Sequence, residues 1–173
     1  HVMPDPVPEE PARTVVPEAT AEPMPEDFSG LVRYAKRSSD VDRALEALEL
    51  AREKSPKSII PDIESARVLL AAGQPGKARS FAEAAVDGDG SSSYAWNTMG
   101  RVELAEGDID GAVASFQRAT EENPDNSYAF NNLGLALIQL ERYPEAVSAL
   151  EAATNGAKPT GYMFNNLGMA YEN

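Results

Sequence analysis

Phe-Asn-Asn-Leu-Gly occurs at 130–134 and again at 164–168, thirty-four residues later; thirty-four residues before the first copy the chain reads Trp-Asn-Thr-Met-Gly, at 96–100. A fixed interval of this length is the mark of an array, in which one small unit recurs and each copy packs on its neighbours. No other feature of the sequence restricts the fold as strongly.

Aligned on that interval, the match extends well beyond the pentapeptide. Trp96, Met99, Gly100, Ala112, Phe116, Ala119 and Pro124 are followed one interval on by Phe130, Leu133, Gly134, Ala146, Leu150 and Ala153, with Pro159 one place late. Towards the N-terminus Gly73 aligns with Gly107, and Ala78, Ala82 and Ala85 hold second-half positions. Phe28, Leu31, Ala44, Leu48, Ala51 and Pro56 begin the series. The alignment predicts units at about 25–58, 59–92, 93–126 and 127–160, and a half unit over 161–173.

Each unit divides into two amphipathic helices, because apolar residues recur at steps of three and four on both sides of a break such as Gly107–Asp108. Pro75 and Pro144 fall where second helices begin, the one place a helix tolerates proline well. Within a unit, positions four, seven, eight and eleven are expected in the core. Glycine at the eighth, as Gly100, Gly134 and Gly168, is expected to let the paired backbones approach closely by facing an alanine such as Ala112 or Ala146.

This pattern strongly resembles the tetratricopeptide repeat, W-x2-L-G-x2-Y…A-x3-F…P, over about residues 28–173. The resemblance implies an all-α solenoid of antiparallel helix pairs, four repeats and a terminal half repeat. Some positions depart from it: Asp62 and Ala66 in unit two, Val32 in unit one, and Glu103 where an aromatic is usual, whereas Tyr171 keeps the aromatic. Armadillo and HEAT periods are longer, and the ankyrin Thr-Pro-Leu-His signature is absent.

Residues 1–27 read differently. They hold seven of the thirteen prolines, with seven acidic residues and one basic, so −6 of the formal net charge of −13 lies there. Proline at that density opposes helix and ladder, and like charges repel, which predicts an extended, disordered acidic linker. His1-Val2-Met3 reads as the remnant of an expression tag, so the single histidine is discounted. No apolar run approaches the ~20 residues of a membrane-spanning helix. With no cysteine, disulfides, thiolate metal sites and cysteine nucleophiles are all removed.

In the repeat family the first helices of successive units line a concave groove, and positions two, five, six and nine face it. Here they are Tyr94, Asn97, Thr98 and Arg101; Tyr128, Asn131, Asn132 and Leu135; Tyr162, Asn165, Asn166 and Met169; unit two offers Ile60, Ile63, Glu64 and Arg67. Asparagine amides both donate to and accept from a peptide backbone, and tyrosines give broad, rather rigid contact with a polar tip. Both ladders also have a bland reading, in which the asparagines belong to the fold and the tyrosines pack between units. The carboxylate clamp of some tetratricopeptide co-chaperones is disfavoured, since Arg67 and Arg101 are the only cations among these positions and no lysine joins them.

The resemblance therefore implies a non-catalytic scaffold that binds a peptide or helical segment of a partner protein. No nucleic acid is expected, since the array is acidic and lacks a basic stripe. No cofactor or metal is expected either. Asp87-Gly-Asp-Gly-Ser resembles a calcium loop, but Ser92 and Thr98 stand where glycine and the bidentate acid belong. Asp108-Ile-Asp-Gly111 reads as a turn, Glu121–Glu122 as an exposed pair without a partner, and Pro8-Glu-Glu-Pro11 as a chance match in the linker. The leader is similar to those of bacterial lipoproteins of this class that help assemble pili or secretion machinery. That resemblance implies a place in the periplasm or at the outer membrane, or alternatively the cytoplasm, with membrane contact expected only through an upstream lipid anchor. A cytosolic co-chaperone or adaptor and a regulatory domain of a larger enzyme are the alternatives. Phe164, Leu167 and Tyr171 occupy core positions in a unit with no second helix, so a continuing array or a dimer through the last helix is expected to cover them.

Overall fold

The computed structural model describes residues 23–156 and 159–172. Those residues form α1 (Phe28–Arg37), α2 (Val41–Lys54), α3 (Ile60–Ala71), α4 (Pro75–Gly88), α5 (Ser93–Glu106), α6 (Ile109–Glu122), α7 (Ser127–Gln139), α8 (Tyr143–Asn155) and α9 (Gly161–Tyr171). Four antiparallel pairs and a single last helix result, as the repeat requires. The tag remnant, the Pro8–Pro11 match and most of the expected linker lie outside the described residues. Residues assigned to that linker nevertheless belong to the first unit. Met24 packs on the cluster beneath α1, and Asp27 caps α1 by accepting a hydrogen bond from the Gly30 amide at 2.8 Å.

Short polar side chains start several of the other helices by satisfying otherwise unpaired first-turn amides. Asp40 accepts from Arg43 N, Ser92 from Ala95 N, Asp108 from Gly111 N and Asn126 from Ala129 N. Pro75 and Pro144 stand in the first turns of α4 and α8, where a missing amide costs nothing. The turn inside units two, three and four uses one left-handed residue at the same register, Gly73 (φ 69°), Gly107 (φ 88°) and Glu141 (φ 57°). Glycine adopts that conformation freely and glutamate does not.

Three buried clusters run along the stack. Leu31, Ala35, Ala44 and Leu48 seal α1 on α2. Ala66, Leu69, Ala78, Ala82 and Val102 join α3, α4 and α5. Phe116, Leu133, Leu137, Ala146, Leu150 and Ala170 join α6 to α9. The expected core register needs one correction: the third position is fully buried, as Ala95, Ala129 and Met163, while the large residue at the fourth, Trp96 or Phe130, is only half-buried. In α9 that fourth residue, Phe164, is 54% exposed.

The glycines also have a different neighbour from the one expected. A Cβ at Gly100 would stand 2.6 Å from the Phe116 ring, and one at Gly134 would run into Leu150. The cavity left by the absent side chain is thus filled by the large residue of the second helix, not by Ala112 or Ala146.

Two departures from the repeat pattern have physical partners. Asp62 pairs with Arg52 at 2.5 Å, and the Arg52 guanidinium also lies 5.6 Å from the Phe81 ring centre, tying α2 to α3 and α4. Burial holds the Asp62 carboxyl above its usual range in spite of Arg52. Glu103, 8% exposed, accepts a hydrogen bond from Ser115 Oγ at 2.6 Å, an α5–α6 polar pair standing where an aromatic is usual. The Glu121–Glu122 pair is not partnerless, since Arg118 reaches both carboxylates.

Candidate functional site

Among the described residues α1 touches α3, α3 touches α5, α5 touches α7 and α7 touches α9, while no second helix touches the next second helix. The first helices therefore crowd together on the inner side of the curve and the second helices spread on the outer side. On that inner side lies a cleft of about 770 Å³. Such a volume falls within the usual range for a ligand site, on the order of 300–1,000 Å³.

Four successive units line it. Lys36 comes from α1; Ile60, Ile63, Glu64 and Arg67 from α3; Tyr94, Asn97 and Arg101 from α5; Tyr128 and Asn132 from α7. The tyrosines stand out from the wall, at 61% exposure for Tyr94 and 54% for Tyr128. Both present ring surface and a polar tip to solvent at the edge of the cleft.

Charge in the cleft is organised around Glu64. Its side chain is buried and accepts from two cations, Lys36 Nζ at 2.9 Å and Arg67 Nη1 at 2.7 Å. Arg101 lies beyond this trio, and burial, with added repulsion from Arg67, lowers the pKa of its guanidinium. The cleft thus holds three cations against one acid in a chain of net charge −13.

The residues expected in the groove are partly brought together here. Tyr94, Asn97, Arg101, Tyr128 and Asn132 line the cleft; Leu135, Tyr162, Asn165 and Asn166 lie further along the first-helix series, outside it. Asn131 is a correction. It is 3% exposed, and its Oδ1 accepts from Asn166 Nδ2 at 2.8 Å, so its amide joins α7 to α9 and does not face an occupant. Thr98 is buried too and donates back to the Tyr94 carbonyl.

Lys36 was missed, and it changes the count of cations against which the clamp was judged. It stands three residues beyond the ninth position of unit one, on the same face of α1 one turn further on. Reading that face to the end of the helix would have found it. Asn126 was missed for another reason. It looks like a turn residue, yet it caps α7 and donates to Ser93 Oγ, which donates in turn to the Ala119 carbonyl, forming a buried joint between units three and four.

With this geometry in place, the comparisons agree on the architecture. The profile of the tetratricopeptide repeat matches residues 97–162. MamA protein is 20% identical, with a TM-score of 0.68 over 84% of this chain and 79% of that one. TTC0263, a thermophilic protein of this repeat class from Thermus thermophilus, is 18% identical, with a TM-score of 0.73 over 84% and 81%. YrrB, described as a protein of this class with an unusual peptide-binding site, is 22% identical, with a TM-score of 0.61 over 85% and 77%. No curated protein sequence matches the chain. Fold and repeat together define an all-α solenoid with the tetratricopeptide-repeat architecture.

Proposed function

We propose that this solenoid is a non-catalytic scaffold that holds a peptide or helical segment of a partner protein against its first helices. The observation that carries the reading is the cleft itself. Four successive units contribute to one ligand-sized space, with exposed tyrosines at its edge and amide groups within it. A small molecule would need fewer units, whereas an elongated segment uses a surface that runs along the stack. The peptide-binding site named for YrrB, a protein of the same fold, adds support. The acidic, proline-rich sequence before residue 23 suits a tether, which favours a role in assembling a cell-envelope complex over a freely diffusing adaptor.

Affinity purification from the source cells tests the function. Wild-type chain, a groove variant (Tyr94→Ala with Asn97→Ala) and an outer-face variant (Gln117→Ala) are compared by quantitative mass spectrometry. A protein retained by the wild type and the outer-face variant but lost with the groove variant supports the reading. Loss through the outer-face variant alone would overturn it.

A further inference from the structure

The cleft also indicates the chemistry of its occupant, on the assumption that it is the binding site proposed above. Glu64 engages Lys36 and Arg67 from within the protein, since one buried carboxylate accepts from both. Arg101 has no such partner: among the described residues no carboxylate stands within ion-pair distance of it. A half-buried guanidinium without an ion-pair partner, repelled by Arg67 with only a lesser attraction from Glu64, gains from any anion that reaches it. Asn97 stands one helical turn away on the same face of α5, and its Nδ2 group is an amide donor not used in the bond from Asn132, which engages Oδ1. From the neighbouring α3, Ile60, 42% exposed, and Ile63 add aliphatic surface to the cleft.

We infer that the cleft takes an acidic peptide segment in which one carboxylate side chain pairs with Arg101 while a neighbouring aliphatic side chain lies on Ile60 and Ile63. Glu64 directs the incoming carboxylate. By holding Lys36 and Arg67 in ion pairs it leaves Arg101 as the cleft cation without an ion-pair partner, and it repels an acid placed beside those two. Basic segments are excluded by the remaining positive charge.

Fluorescence anisotropy on the whole chain tests this, with two fluorescein-labelled octapeptides blocked at both ends. One alternates leucine with glutamate and the other leucine with glutamine. The glutamate peptide is expected to bind roughly tenfold more tightly. Arg101→Gln reduces it to the level of the glutamine peptide, Glu64→Gln tightens it, and Arg118→Gln on the outer face leaves it unchanged. Melting curves confirm that each variant is folded. Equal affinity for the two peptides, or a glutamate preference that survives Arg101→Gln, overturns the inference; if Tyr94→Ala still weakens both, the groove remains the binding site. Failure of the wild type to bind either peptide also overturns the inference, and the affinity purification described above then decides separately on the proposed function.

Discussion

Asn132 Nδ2 donates to Asn97 Oδ1 at 2.9 Å, joining α7 to α5 along the wall of the cleft. One unit later Asn166 donates to Asn131 in the same way, at 2.8 Å. In each pair the sixth residue of a unit donates to the fifth residue of the unit before. The series begins there because the preceding pair is Thr98 and Ile63, which cannot form it.

The two clamps differ in burial, and that fixes their relative cost. Asn131→Ala removes an acceptor that is itself buried and is expected to cost about 1–2 kcal/mol. Asn97→Ala exposes its partner to water in the cleft and costs under ~1 kcal/mol. Urea unfolding of both variants measures the difference; equal losses would mean that burial does not separate the two pairs.

Gly134 and Gly168 occupy the same position in consecutive units but face opposite surroundings. Gly134→Ala drives a methyl group into Leu150 and is expected to cost about 1–3 kcal/mol. Nothing lies within 4 Å of a Cβ at Gly168, so Gly168→Ala gains helix propensity and stabilises by about 0.5–1 kcal/mol. Thermal melts of the pair should move in opposite directions.

Glu141 supplies a third prediction. It holds φ 57° where the equivalent turns have glycine. Glu141→Gly relieves the left-handed backbone, and a gain of about 1 kcal/mol is expected in chemical denaturation. A loss of stability would show that the glutamate side chain contributes more than the backbone strain removes.

Glu103 makes stability depend on pH. Burial raises its carboxyl pKa above the ordinary 4.5, although the hydrogen bond from Ser115 pulls the other way. The folded state therefore keeps a proton that the unfolded chain has released. This group's stabilising contribution is complete below the ordinary value and is lost as pH rises through the folded one. Glu103→Gln does not titrate, so its stability relative to the wild type should improve between about pH 4 and pH 7. A constant difference across that range would contradict the assignment.

How much of this was legible in the sequence follows from what an interval encodes. The thirty-four-residue period gives the number of helices and their pairing, and the glycine and proline positions give their ends. It does not give the rotation of each helix against its neighbour. Asn131 and Asn132 are adjacent and chemically identical, yet about 100° of helix separates a buried clamp from a wall of the cleft. The same lack of rotation hid the partner of Gly134, which is Leu150 sixteen residues on and not Ala146 twelve on. Lys36 escaped because unit one lacks the tyrosine–asparagine pattern that marked the groove face elsewhere.

The most direct test of the groove is site-specific photo-crosslinking in the native cell. One crosslinker replaces Asn132 on the cleft wall and a control replaces Gln117, which is exposed on α6. The account predicts that one protein is captured from position 132 and not from position 117. Equal capture at both positions, or capture only at 117, would contradict it.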